Sequence, residues 1–434
     1  MFSGKAFAYF RFVRKTRIFV SGSSVTLARS SCVSWRRPRR TRRVSAGGNN
    51  MSETRIYLDN AATTAISGRV LDVMMPWLKE GYGNASSVYS LGRKSAIALN
   101  KARARCAEIL GCESREIFFT SGGTESDNQA VFSAAESGAA KGKRRIIASA
   151  FEHHAVLEPL KALEKRGFSV TYLPVYDNGI VRVSDVESAL TDDTALVTVM
   201  AANNEIGTIQ PISVIGGLCR ERGITFHTDA VQAFGNIPIN VREQNIDMLS
   251  LSGHKIHAMK GTGLLYVRNS SELRPFILGG AQQSGKRAGT ENIAGITGLA
   301  EAVSAAAENL PGKDAALLPL REKLITEISK ISGSRLNGDR NERLASNVNF
   351  SFEGIEGEAL ILQLDLLGIA VSSGSACTSG SLEPSHVLTA LGLTHDEARS
   401  SVRITMSSYT TEAEIDELIR VLPGTVEKLR ALTH

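Results

Sequence analysis

The stretch Phe226-His227-Thr228-Asp229-Ala230-Val231-Gln232, followed by Met248-Leu249-Ser250 and Ser252-Gly253-His254-Lys255, decides the fold. One short apolar run delivers an acid at its carboxyl end. A second drops into a turn that presents a lysine beside a histidine. The 26 residues from Asp229 to Lys255 leave room for one helix and one strand. Similar runs lie upstream and downstream at Ile117-Phe118-Phe119, Ile146-Ile147-Ala148, 170–173, 195–200 and 263–267. Helical spacing separates most of them, as over residues 94–110. Strands alternating with helices predict an α/β domain with a largely parallel sheet, whose sites lie at the carboxyl ends of strands. A long Ala- and Leu-rich helical stretch at 297–330 leads to a second region. There Ser346 to Phe352 alternates as a strand, with helices near 356–367 and 411–431 and a strand near 402–406, which predicts a smaller α+β domain.

Charge divides the chain. Its net +6 over 434 residues comes from residues 1–50, with ten arginines, two lysines and no acid. Residues 51–434 hold 38 basic against 44 acidic side chains. The leader interleaves aromatics with cations (Phe7, Tyr9, Phe10, Arg11, Phe12, Arg14, Lys15, Arg17) and ends in the cluster Arg36 to Arg43. Acid-free, Arg- and Ser-rich, it reads as an organelle transit peptide. A basic tail for RNA or acidic lipid is the competing reading. A mitochondrial address is expected, with plastid as the alternative and a cytosolic form starting at Met51. No nucleic-acid partner is expected for the body, whose charge balance is acidic, and no membrane partner, because no apolar run reaches 18 residues. Five cysteines (Cys32, Cys106, Cys112, Cys219, Cys377) show no C-x-x-C spacing, so no disulfide framework or metal site is expected. Cys106 and Cys219 fall in helical patterns and read as buried hydrophobes.

Four constellations carry chemistry. Lys255 is either a surface lysine or a Schiff-base amine. Asp229 on the preceding strand is the carboxylate that a pyridoxal phosphate ring nitrogen requires. Thr120-Ser121-Gly122-Gly123-Thr124-Glu125 ends a strand and opens a helix. It is a Thr-capped turn in isolation, and a phosphate cup when paired with the Lys–Asp constellation. His153 and His154 follow a strand and either stack on a planar ring or sit as structural histidines. Ser372 to Ser381 is a run of small residues around Cys377, an incidental surface thiol or a loop-borne nucleophile.

In this order the motifs resemble the NifS/IscS-type cysteine desulfurases, pyridoxal phosphate (PLP) enzymes of fold type I. The likeness runs from Ile56-Tyr57-Leu58-Asp59-Asn60-Ala61-Ala62-Thr63-Thr64 to about Leu432. It is most specific at 121–128, Asn203-Asn204-Glu205-Ile206-Gly207, Ser252 to Lys255, Arg287-Ala288-Gly289-Thr290 and Ser372 to Pro384. The resemblance implies a large α/β domain at 66–311 with a mostly parallel seven-stranded sheet. It also implies a smaller α+β domain from 51–65 and 312–434, behind a disordered leader at 1–50. The implied activity converts L-cysteine to L-alanine and passes sulfur to an enzyme persulfide. Iron–sulfur cluster assembly is the implied sink and tRNA thiolation a further one; a selenocysteine lyase is the alternative.

Carried over by position, Lys255 would hold the cofactor covalently and move the Cα proton, and His153 would stack on the ring. Asp229 would meet the ring nitrogen, Gln232 the phenolic oxygen, and Asn204 the cofactor and the substrate carboxylate. Gly123, Thr124, Ser252 and His254 would cradle phosphate. Thr290 would join them from the neighbouring subunit of a homodimer. Arg403 would clamp the substrate carboxylate, and Cys377 would take the sulfur and hand it to an iron–sulfur scaffold or another acceptor protein. The chain departs from IscS-type relatives at Gly279 to Ser284, where many carry Gly-Gly-Gly-Gln-Glu-Arg, and at His257 and Met259, where Tyr and Pro are common. It also ends at His434 without the tail by which such relatives dock their scaffold.

Overall fold

The computed structural model describes residues 55–268, 273–374 and 384–433. A seven-stranded sheet carries the fold, in the order β2 (Ile117–Thr120), β8 (Gly263–Val267), β7 (Met248–Ser252), β6 (Thr225–Asp229), β5 (Thr194–Thr198), β3 (Arg145–Ser149) and β4 (Ser169–Leu173). From β7 to β4 every neighbouring pair is parallel, while β8 runs antiparallel to both β7 and β2. The central strands are buried on both faces, as in a sheet covered on both sides. Alternation sorts them: Ile146, Ala148, Leu196 and Leu265 meet helices α3 (Gly123–Ala139) and α4 (His154–Glu164). On the opposite face Ile147, Val197, Phe226 and Leu264 join a core with α1 (Gly68–Lys79), α2 (Ser90–Leu110) and α6 (Ile212–Glu221). Helix α5 (Val183–Ala189) adds Val186 to it. Cys106 and Cys219 are fully buried there, as expected.

Helix α7 (Ile293–Ile328) begins in this core through Leu299 and Val303. It packs closely on α1, because a Cβ at Gly298 would lie 2.7 Å from Met74 Sδ. Its later residues Leu317, Leu324, Ile325 and Ile328 belong to a second core. That core is built on β10 (Asn347–Phe352), flanked antiparallel by β9 (Ser334–Leu336) and β12 (Ser401–Thr405). Helices α8 (Gly357–Leu366) and α11 (Glu412–Thr433) cover it, and β1 (Ile56–Tyr57) pairs with β11 (Ile369–Ala370) at its margin. Short helices α9 (His386–Ala390) and α10 (His395–Arg399) connect the later elements.

One expectation fails in the segment that opened the reading. No helix joins β6 to β7; residues 230–247 form a chain of turns with an isolated bridge between Phe234 and Ile237. Gly235 (φ 73°) and Asn245 (φ 53°) take left-handed conformations, and the Asn240 carboxamide caps the amides of Arg242 and Glu243. Such residues favour turns over a helix. The loop at 121–124 also differs from a Thr-capped turn, since α3 starts at Gly123 with Gly122 as its N-cap.

Candidate active site

The carboxyl ends of β3, β5, β6 and β7 lead into His153, Asn204, Asp229 and Lys255 in turn. Asp229 closes β6 with 5 % of its surface exposed, and its Oδ1 accepts from the Val231 amide at 2.8 Å. Burial pushes its carboxyl up to about 8, with the Asp127 carboxylate adding and Lys255 opposing. Lys255 leaves a single turn of 3-10 helix after β7, and its ammonium donates to the carbonyls of Ala61 and Ala62 at 2.6 and 2.8 Å. The carboxamide of Gln232 donates to the same Ala61 carbonyl at 2.9 Å. The segment 59–64, quoted in the sequence for its motif alone, is thus a backbone strap that collects Lys255 and Gln232. The strap is pinned from beyond by His254, whose Nδ1 lies 3.2 Å from Thr63 Oγ1 and whose carbonyl accepts from Thr64. His153 caps α4, its Nδ1 accepting from the Ala155 amide at 3.1 Å. Burial, reinforced by Lys255, pushes His153 down to about 4, so its ring is neutral near pH 7.

The start of α3 lies against the end of β7. A Cβ on Gly123 would come 3.5 Å from Ser252 Cβ and 2.8 Å from Val231 Cγ2, so only glycine lets the backbone approach this closely. The first-turn amides of a helix lack intrahelical acceptors and carry the positive end of its dipole. Gly123 and Thr124 open this helix and Ser252 packs against it, with His254 two residues further along the chain. Burial, then Lys255, holds the His254 imidazole down at about 4. These donors suit a phosphate, Asp229 suits a ring nitrogen, and Lys255 suits an aldehyde; the residues present fit PLP. Thr290 stands exposed on a loop tied down by Arg287, whose guanidinium meets Glu125 of α3 at 2.8 Å.

Arg403, on β12, is 2 % exposed and reaches across from the second core. It donates to Asp59 Oδ1 at 2.8 Å, to the Asn204 carbonyl at 3.0 Å and to the Gly374 carbonyl at 3.2 Å, and its buried Nε has no protein acceptor. Asn204, half-buried, touches Arg403 through its backbone. Cys377 lies outside the described residues. The chain on either side of it converges on Glu205: Ser385 Oγ donates to Glu205 Oε2 at 2.6 Å, and a Cβ on Gly374 would lie 3.0 Å from the same oxygen. Sequence reasoning missed the pairing role of Asp59 and the anchoring role of Glu205, although both fall inside motifs that it quoted. It also passed over the buried acids Asp127 and Glu152.

Comparison with known proteins adds names to this arrangement. The aminotransferase class-V family matches residues 56–418. The cysteine desulfurase IscS of Methanosarcina thermophila is 48 % identical over 388 residues, covering 89 % of this chain and 96 % of that protein. The IscS of Clostridium botulinum is 49 % identical over 381 residues, covering 87 % and 96 %. Among solved structures, a NifS-like protein superposes with a TM-score of 0.81 at 37 % identity, covering 86 % of this chain and all of that one. SspA in complex with cysteine superposes at 0.73 with 38 % identity, covering 82 % and 100 %. The chain belongs to the class-V aminotransferase family and, within it, to the PLP-dependent cysteine desulfurases of the IscS/NifS type.

Proposed function

We propose that this cysteine desulfurase works through the residues gathered at the strand ends, with Cys377 as the sulfur acceptor. The observation that carries the reading is the convergence of Lys255 and Gln232 on the Ala61 carbonyl, with Lys255 close enough to Asp229 to act on its charge and the α3 start packed on Val231 and Ser252. PLP bound there supplies an electron sink that acidifies the substrate Cα–H and weakens its Cβ–S bond. Asp229 would hold the proton on the ring nitrogen, and the neutral His153 ring would stack on the cofactor. Gly123, Thr124, Ser252 and His254 would hold the phosphate, and Gln232 would meet the ring oxygen. Lys255, freed from Ala61 and Ala62, would hold the cofactor and would be the amine that removes and returns the substrate Cα proton. Arg403, pre-aligned by Asp59 and the Asn204 carbonyl, receives the substrate carboxylate. The Cys377 thiolate attacks the substrate sulfur as the C–S bond breaks. L-cysteine plus enzyme thiol becomes L-alanine plus enzyme persulfide, with no external oxidant.

The assembly is a homodimer that offers Thr290 to its partner's phosphate. Support comes from the loop beside Thr290: the Ala288 amide donates to the Ile277 carbonyl, and the adjoining Leu278 is 81 % exposed. Residues 1–50 carry the chain to the mitochondrion, on the strength of their arginine density, with plastid import as the competing outcome and a cytosolic form from Met51 as a second product. The sulfur passes to an iron–sulfur scaffold or another acceptor protein.

Mass spectrometry of the enzyme after exposure to cysteine tests the chemistry. A PLP adduct on Lys255 and an added sulfur on Cys377 are expected. Cys377→Ala should abolish the persulfide, and Lys255→Ala should abolish alanine. A Cys377→Ala enzyme that still delivers sulfur at the parental rate refutes the acceptor role. Turnover confined to selenocysteine would assign the lyase alternative, and a reporter fused to residues 1–50 that stays cytosolic would refute import.

A further inference from the structure

One layer beneath the cofactor-facing edge, four polar side chains with no exposure beyond 1 % cross three strands and a helix. Thr198 of β5 lies with its Oγ1 2.9 Å from His227 Nδ1. His227 Nε2, on β6, is 3.1 Å from Ser250 Oγ of β7. Asp127 of α3 faces the Ser250 hydroxyl, and its Oδ1 sits 3.5 Å from the same imidazole nitrogen. The strand register places this chain directly against the cofactor anchor. His227 precedes Asp229 by two residues and so shares its face, and Ser250 is the cross-strand partner of Asp229.

Two carboxyl groups buried this close do not both ionise cheaply. Glu152, fully buried with Oε2 lacking a partner, adds a third to the cluster. The charged and titratable groups facing Asp127 are thus Asp229 and His227 on β6 and Glu152 before α4, while Lys255 after β7 acts on Asp229. Asp229 is the member nearest the pocket and to Lys255, and Asp127 is the deeper one. We propose that Asp127 is a positioning residue. As a neutral acid it donates to Ser250, Ser250 to His227 and His227 to Thr198, so that Asp229 stands held from below as the one carboxylate that ionises against the cofactor's ring nitrogen. Each hydroxyl in that direction donates once, and the imidazole needs one donor and one acceptor nitrogen, as a neutral ring supplies. Burial pushes Asp127 up to about 7 and His227 down to about 4; Asp229, at about 8 without the cofactor, is the acid that a ring-nitrogen proton would draw into its charged form, which leaves Asp127 the neutral one.

The inference rests on the PLP reading, and the test separates the two. Holoenzyme is prepared for Asp127→Asn, which keeps a donor, Asp127→Leu, which does not, and Ser250→Ala, which cuts the chain in the middle. PLP affinity is measured by equilibrium dialysis, and the pH midpoint of the visible absorbance change by titration. Asp127→Asn should stay within threefold of the parent in affinity and close to it in midpoint. Asp127→Leu should bind PLP roughly tenfold more weakly with a displaced midpoint, the scale of one lost buried hydrogen bond. Ser250→Ala should move the midpoint in the same direction and decides the matter if Asp127→Leu does not fold. Equal damage from Asp127→Asn and Asp127→Leu would mean that Asp127 acts as an anion. Parental behaviour of Ser250→Ala would mean that the chain positions nothing. A parent enzyme that binds no PLP would instead overturn the cofactor reading itself.

Discussion

Replacing Gly263 by Ala probes the phosphate cup from behind. Gly263 opens β8 and pairs with both Thr120 and Ser252. An added Cβ would lie 2.6 Å from Gly122 Cα and carbonyl carbon and 2.7 Å from Thr120 Oγ1. Carbon atoms in contact need about 3.4 Å or more, so the Gly122 backbone must retreat by roughly 0.8 Å. Gly122 is the N-cap of α3, and the amides that follow it are the proposed phosphate donors. A charge-assisted hydrogen bond near 2.8 Å stretched by that amount no longer qualifies as one. Losing one such bond costs about 1.5–3 kcal/mol, which weakens PLP binding by roughly one to two orders of magnitude. Overpacking itself costs about 1–3 kcal/mol, so the apoenzyme should melt a few degrees lower. Spectroscopic titration of apoenzyme with PLP reads the first effect and thermal unfolding the second. Gly217→Ala, on α6 with nothing within 4 Å of its Cβ, is the control and should bind PLP normally. A Gly263→Ala enzyme that melts lower yet binds PLP within threefold of the parent would refute the assignment of the cup.

Arg403→Lys keeps the charge but loses the planar fork that meets Asp59 and the Asn204 carbonyl. Steady-state alanine formation should show KM for cysteine raised roughly 10- to 100-fold, with kcat changed less; an unchanged KM would remove the carboxylate from this arginine. The buried acids give the apoenzyme a pH signature. Asp127, Glu152 and Asp229 titrate near 7, 8 and 8 in the fold and in the ordinary carboxylate range when unfolded. The folded state therefore holds more protons between those limits, and the stability that they contribute drains away as pH rises through the folded values. His153, His227 and His254, held down at about 4, act oppositely only below the usual histidine range. The apoenzyme Tm should consequently fall from pH 6.5 to 8.5, and a Tm that rises would contradict neutral buried acids.

Much of the site could be read in advance because its parts are local. Asp229 at a strand end, Lys255 after a Gly-His turn and the glycines at 122–123 are each short patterns with a physical reason. The helical stretch expected at 297–330 is observed as α7, and the strand expected near 402–406 as β12. What escaped is non-local or conformational. Asp59 meets Arg403 from the far end of the chain, which no spacing rule reveals. The link from β6 to β7 has the length of a helix, but Gly235, Asn240 and Asn245 bend it into turns. Ser250 and His227 read as residues in apolar runs and turn polar only in their pairing with Asp127, which the sheet register alone creates.

Helix α7 has a thermodynamic consequence of its own. At 36 residues it is about 54 Å long, and it contributes side chains to both hydrophobic cores. Melting either core exposes one half of the helix and strips the support from the other half. Arg403 adds a second strut, anchored in one core and bonded to the strap and turn that border the other. The two cores are therefore coupled like the ends of a beam, and calorimetry of residues 53–434 should give one transition whose van't Hoff and calorimetric enthalpies agree.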